Sequence, residues 1–452
     1  LPDLQELRGA AREVFGEVLD ASDARRAVLG AVEFEGGRLR VGGARFGSRG
    51  RAPKVYSVAL GKAAASMASA LDERLGGLLA AGVLSAPASR LALSERWRVF
   101  EGGHPLPNAA SFEAARAAFR LLEAADDPSA LVVFLVSGGG SAMLELPGGG
   151  RLTLEDLREA NRTFVSCGAS ISEVNALRRA LSAVKGGGLA ARAPRAAQVT
   201  LVVSDVGAGR ACDVASGPTL PPPADSPTVK GIVERYGLAS SLPAAVLRAL
   251  EESGAGRAPQ TPPGAHRSFE VLLDNEGACE AAAGAARSRG LAVGFARDLS
   301  EQPVGEGAAA LVSRLEGLYA REGASGGRAV CLISGGEFSC PVRGSGTGGR
   351  NAETALRVAL EFERVAGERG AGRVPRHLVA LCAGTDGVDG NSPAAGALAD
   401  ETTVARANAR GLDARKFLDE SDAFTLFERL GDAVTTGPTG TNVRDVRILL
   451  AG

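Results

Sequence analysis

The chain has 452 residues with 51 basic and 52 acidic side chains; a net charge of −1 argues against a surface spread for nucleic acid and against a polybasic membrane anchor. Hydrophobic residues at 45% and charged residues at 23% exclude a disordered chain, and the length suits two or three domains. The 61 glycines have no three-residue period, which excludes collagen, and three histidines argue against a His-rich metal site. In chain order, apolar positions at helical spacing predict a helix over 3–29. Val55–Leu60 is a short apolar strand running through Gly61-Lys62 into an Ala-rich helix, 63–75. Leu131–Val136 is a second buried strand, helical pattern resumes at 154–183, and Val199–Val203 is a third strand. Residues 253–264, rich in Gly and Pro, read as a linker. Beyond it come a strand at Phe269–Leu273, helices at 276–289 and 305–320, and strands at Val330–Ile333 and Leu378–Cys382. Short apolar runs alternating with helices predict an α/β protein of two domains, 1–260 and 261–452. Each is expected to carry a mostly parallel sheet flanked by helices, the first Rossmann-like.

None of the six cysteines forms a C-x-x-C pair, and Cys331 and Cys382 fall inside apolar runs. They read as buried, reduced thiols of a cytoplasmic protein. No apolar run approaches the roughly 18–20 residues of a membrane span.

Ligands of open parallel sheets bind at the carboxyl ends of the strands, beside helix N-termini. Five such ends carry Gly-rich or Ser/Asp-bearing turns: Gly61-Lys62, Ser137–Ser141, Ser204-Asp205, Ser334–Glu337 and Gly384–Gly390. One glycine turn is usually steric; five together point to a phosphate- or nucleotide-sized anion. The segment Gly344–Asn351 (GSGTGGRN) precedes a helical run, 352–365. Its backbone N–H groups could cradle phosphate and Arg350 could clamp it, or it could be a plain hairpin loop. It lacks the Gly-Lys-Ser/Thr of a Walker A loop, and no G-x-G-x-x-G follows the first buried strand. Lys62 is placed to reach the same crevice. Asp205, Glu337, Asp386 and Asp389 lie at or just past strand ends, as metal carboxylates or as turn and helix caps. Asn175, Arg178, Arg179 and Lys185 could bind an acidic substrate or form a solvated helix face, and His104 sits in a Pro-rich loop.

These segments resemble a known family, the D-glycerate 2-kinases with an N-terminal glycerate-kinase domain and a C-terminal MOFRL domain. The matching stretches run in order over 59–446. They include ALGKAAASM (59–67), GGHPLPNAAS (102–111), VSGGGSAML (136–144), EVNALRRALSAVKGGGLA (173–190), ISGGEF (333–338), RGSGTGGRNAETAL (343–356), AGTDGVDGNSPAAGA (383–397) and TGPTGTNVRDV (436–446). The resemblance implies ATP-dependent phosphorylation of D-glycerate at its 2-hydroxyl, with Mg2+, in a cleft between the domains. It matches Lys62 and Arg350 to the family's active-site lysine and arginine. The expected substrate contacts are Lys62, His104, Ser137, Asn175 and Arg350. The expected nucleotide contacts are Gly138, Gly139, Gly140, Ser141, Lys185, Gly335, Gly336, Glu337, Gly346, Gly348 and Gly349, and the expected metal ligands Asp205, Asp386 and Asp389. The partners are then small molecules, glycerate and a nucleotide, with no nucleic acid or membrane; a homo-oligomer stays open. One departure stands out: after Ser204-Asp205-Val206 the family carries one or two Asp, where this chain has Gly207-Ala208-Gly209-Arg210. The alternatives are a hydroxypyruvate reductase-type oxidoreductase, a label often given to members, and a catalytically weakened binding homologue.

Overall fold

The computed structural model describes residues 2–47, 52–89, 91–149, 152–222, 225–253, 266–323, 327–367 and 377–452. All of the expected linker but Ser253 lies outside them. The chain forms two units, Ala24–Leu272 and a second built from Leu1–Asp23 with Leu273–Gly452. This division differs from the expected one near residue 260.

In the first unit, β1 (Val32–Glu35), β2 (Arg38–Val41) and β3 (Ala44–Phe46) form a small antiparallel sheet. The main sheet holds β4 (Lys54–Leu60), β5 (Leu79–Ala86), β6 (Trp97–Glu101), β7 (Ala130–Ser137), β8 (Ala197–Val203) and β9 (Arg267–Leu273), in the order β6-β5-β4-β7-β8-β9. The pairings from β6 through β8 are all parallel. Every residue of β7 is buried, as its unbroken apolar run requires. Val132, Phe134 and Val136 join Ala114, Ala118 and Leu122 of helix Ala109–Ala124 in one core. Burying each such large side chain is worth about 1.5–3 kcal/mol. Because β4, β5, β6, β7 and β8 run the same way, their carboxyl ends share one edge. That edge collects the turns at 61–62, 102–104, 137–141 and 204–205.

Two predicted helices are in fact pairs. The run 154–183 divides into Leu154–Ser166 and Ile171–Leu181, where Ser170 and Glu173 form a capping box after Gly168 at φ +83°. The run 3–29 breaks at Ser22, between Leu4–Ala21 and Ala24–Ala31.

In the second unit, β10 (Ala292–Phe295), β11 (Val330–Gly335), β12 (Leu378–Gly384), β13 (Gly396–Asp400), β14 (Ala433–Val434) and β15 (Asp445–Ala451) pair in the order β10-β11-β15-β12-β13-β14. Only β10 and β11 are parallel; β15 runs antiparallel between β11 and β12, and β13 and β14 continue antiparallel. The expected mostly parallel sheet therefore holds for the first unit and not for the second. Apolar continuity reports burial on both faces, not direction, and β15 is wholly buried. Helix Leu4–Ala21 packs on helix Asn275–Ser288, β12 and β15. Arg8 on that helix pairs with Asp400 and Asp432, and Arg289 with Glu13 at 3.0 Å and Glu17 at 2.8 Å. Among the described residues no helix is long and apolar enough to cross a membrane.

Candidate active site

At the carboxyl edge of the first sheet, Gly61 adopts φ +113°, and a side chain there would collide with Ser137. The glycine lets the ends of β4 and β7 close on each other. Lys62 N then donates to Gly138 O at 2.8 Å, and Ala63 N to Ser137 Oγ at 3.0 Å. Ser137 is buried and its hydroxyl is committed to this turn. Its place is to hold the turn at Leu60 and Ala63, on either side of Gly61-Lys62, which corrects its expected substrate contact. Gly139 has φ +80°, and a Cβ on it would lie 3.0 Å from His104 Cδ2 and 3.2 Å from Lys62 Cγ. A Cβ on Gly138 would run into the Asp205 carboxylate. Lys62, His104 and Asp205 thus surround the Gly138-Gly139 pair. Burial, and then the Lys62 charge, lower the His104 pKa and keep its imidazole neutral.

Beside this turn, Ala215, Ser216 and Gly217 carry φ of 52°, 61° and 68°. Such backbone is costly for Ala and Ser and needs support. Ser216 Oγ donates to Asn175 Oδ1 at 3.0 Å, which spends its one proton; Ser141 Oγ, 2.7 Å away, then donates to Ser216. Asn175 and Ser141 come together through Ser216, which sequence reasoning passed over. Its only signal was the Ser-Gly-Pro turn at 216–218.

Lys185 lies elsewhere in this network. Its ammonium is buried against Glu145, whose other oxygen accepts from Ser182 Oγ at 2.5 Å. Burial lowers its pKa, opposed by Glu145. A structural ion pair corrects the expected nucleotide contact. Lys185→Met should destabilise the fold by about 3–5 kcal/mol, because it strands a buried carboxylate. A denaturant midpoint near wild type would show that Glu145 is not held by this pair. Arg178 Nε donates to Asn161 Oδ1 at 2.9 Å, and Arg179 and Arg210 pair with Asp213 at 3.2 and 2.9 Å. These arginines are half-buried and bound rather than a solvated face. Arg210 also meets Ser172 Oγ at 3.0 Å, so the cation in the departing turn is tied down locally, by that hydroxyl and by the carboxylate it shares with Arg179.

In the second unit, Arg350 opens helix Arg350–Gly367. Its Nε donates to Asp445 Oδ2 at 2.5 Å, and its Nη2 pairs with Glu337 Oε1 at 2.8 Å. Burial opposes its charge, but Asp445 and then Glu337 outweigh that, and its pKa is raised. Asp389 is buried; its carboxylate accepts from Asn351 N at 2.9 Å and Ala352 N at 2.8 Å. It caps the helix with both oxygens, which corrects its expected place as a metal ligand. Burial pushes its pKa up to about 6, against the two backbone amides, from 3.8. Its contribution to stability is fully present below 3.8 and is lost as pH rises through about 6. Asp389→Asn should therefore flatten the pH dependence of the melting temperature across this window. An unchanged slope would assign the dependence to another group.

The Gly344–Gly349 loop is not an open phosphate cradle. Gly346 N donates to Glu420 O at 3.0 Å, Thr347 N to Asp422 Oδ1 at 2.8 Å, and Gly348 N to Asn391 Oδ1 at 2.8 Å. Gly344 and Gly346 pack on the backbone at 420–422, and Gly349 on Asp389 and Gly390. These glycines permit close packing, which corrects the expected phosphate contacts of Gly346 and Gly348. The loop instead walls a cavity of about 410 Å³, with Phe338, Val342, Val388, Asn391 and Arg350 around it. Gly335 packs against Asn275 and Cys279, and Gly336, at φ +91°, against Ser300. Both are steric necessities of the turn after β11. Gly140 likewise packs against Leu60 and Ala215.

Among the described residues no group of three or more His, Cys, Asp or Glu forms a ready-made metal cage. Nucleotide-bound Mg2+ needs only one or two protein carboxylates. Asp205, beside Gly138, and Asp386, whose Oδ1 accepts from Val388 N at 3.2 Å, fit that lesser demand.

Fold and clusters define a two-unit α/β protein whose regions match two described families. Residues 10–251 match "Domain of unknown function (DUF4147)" and residues 330–445 match the MOFRL family. The chain is 33% identical to the glycerate 2-kinase of Pyrococcus horikoshii, covering 98% of this chain and 97% of that one. It is 37% identical to an Agrobacterium vitis protein named provisionally as a hydroxypyruvate reductase, over 87% of this chain and 98% of that one. The crystal structure of a Thermotoga maritima glycerate kinase superposes with a TM-score of 0.79 at 30% identity, covering 99% and 100% of the two chains. The chain belongs to the glycerate kinase family.

Proposed function

We propose that the protein phosphorylates D-glycerate at its 2-hydroxyl, using ATP, to give 2-phosphoglycerate. The observation that carries this reading is the Gly139 turn, which has Lys62 and a neutral His104 both beside it in a chain of this family. Lys62 binds the glycerate carboxylate or the transferring phosphoryl group. His104 hydrogen-bonds a substrate hydroxyl without adding charge. Arg350, in the second unit, meets the nucleotide phosphates. Phosphoryl transfer asks chiefly for positioning and charge stabilisation, which two such cations supply. Mg2+, held with the phosphates by Asp386 or Asp205, would neutralise charge on the transferred group.

A coupled assay with enolase tests the reading, since enolase consumes the 2-phosphate and not the 3-phosphate. The second reading, reduction of hydroxypyruvate, is favoured by the name of the A. vitis relative. Against it, the turn after β4 is Gly61-Lys62-Ala63 and lacks the dinucleotide fingerprint. Hydroxypyruvate-dependent oxidation of a reduced nicotinamide cofactor, without phosphoglycerate formation, would replace the kinase reading. Nucleotide binding without turnover would mark a weakened homologue.

A further inference from the structure

Arg350 carries two carboxylates in different surroundings. Asp445 sits at the start of the central strand β15, opposite Gly384 of β12, with its side chain 3% exposed. Asn275 Nδ2 fixes the backbone there, donating to Val443 O at 2.8 Å and Asp445 O at 3.0 Å. Asp445 takes one edge of the guanidinium, Nε at 2.5 Å and Nη2 at 3.4 Å. Glu337 lies in the turn after β11, its side chain 31% exposed, and meets the remaining side of Nη2 at 2.8 Å.

We propose that these carboxylates have opposite duties: Asp445 anchors Arg350, and Glu337 holds the place of a nucleotide phosphate and is displaced by it. The inference rests on the nucleotide reading above. Asp445 and Glu337 both face one guanidinium through Nε and Nη2, so a polyanionic phosphate approaching it is repelled by two carboxylates, and its binding is favoured when one of them leaves. Solvation decides which one. A buried carboxylate stripped of its arginine stays uncompensated, whereas a partly exposed one is rehydrated at little cost. Both the lost and the gained bond are charge-assisted, so the exchange is close to balanced. Asp445 is thus a positioning residue, and Glu337 sets the affinity threshold for phosphate.

The two duties predict shifts of opposite sign. The probe is a non-hydrolysable ATP analogue with Mg2+, titrated calorimetrically into the full chain. Glu337→Gln should lower Kd by about two- to fivefold, the scale of one partly exposed ion pair. Asp445→Asn should raise it by about tenfold or more. If Glu337→Gln weakens binding or leaves it unchanged, the exchange is overturned. If both variants shift Kd the same way, the division of duties is overturned. Should Asp445→Asn fail to fold, the sign for Glu337→Gln decides alone. A wild-type chain that binds no analogue would instead overturn the nucleotide reading itself, and this inference with it.

Discussion

Lys62→Ala is expected to lower kcat/KM for glycerate phosphorylation by a factor of about 10²–10⁴, the cost of removing a preorganised electrostatic partner. The fold should survive. Lys62 is half-exposed, and its turn is held by backbone groups: Gly61 N to Ser85 O at 3.1 Å, Lys62 N to Gly138 O, and Ala63 N to Ser137 Oγ. None of these uses the ammonium. The loss should appear in kcat if the charge acts on the transferring phosphoryl group, and mainly in KM if it binds the glycerate carboxylate. The neighbouring His104 supplies an independent readout. Lys62 is one of two causes lowering its pKa, so the mutant imidazole should titrate at higher pH, measurable by NMR. Near-normal kinetics in a folded mutant would remove Lys62 from the site.

Arg350→Lys should be impaired by about 10²-fold or more in kcat/KM despite keeping its charge. The guanidinium spans Asp445 and Glu337 at once, with donors in a fixed plane. An ammonium is a point charge and cannot hold the buried Asp445 through a fork while offering a further donor to phosphate. The helix itself should remain, because Asp389 caps it independently of the Arg350 side chain. Circular dichroism should therefore match wild type while activity falls. Full activity in the lysine variant would reduce Arg350 to a bare charge.

The places of Lys62 and Arg350 in the fold were legible because each stands where a local pattern changes: an apolar strand breaking at Gly-Lys, and a glycine run giving way to a helix. What was not legible depends on distant partners. Asp445 opens the apolar run DVRILLA and meets an arginine 95 positions away. The GSGTGG loop has the composition of a phosphate cradle, yet Glu420, Asp422 and Asn391 take the amides of Gly346, Thr347 and Gly348. Nothing within the loop foretells those acceptors. Lys185 sits in a Gly-rich turn like an anion ligand, and only the fold brings Glu145 to it. The five strand-end turns were placed correctly along the chain, but their glycines divide between shaping a site and allowing close packing. That division rests on what faces each Cα, which spacing does not encode. Direction was lost for the same reason: β15 is as apolar as a parallel strand.

The position of β15 also bears on how the chain comes off the ribosome. Residues Ala24–Leu272 are contiguous, so the first unit has all its parts once they are synthesised. The second unit is split by that insertion, and its central strand follows every other strand of its sheet in the chain. Until residues 445–451 emerge, β11 and β12 each keep an unpaired edge of buried, apolar character. Such edges are templates for pairing with other chains. The nascent protein therefore passes through a stage with all parts of the first unit made and the sheet of the other held open, the interval in which a chaperone or a self-associating chain would act on it.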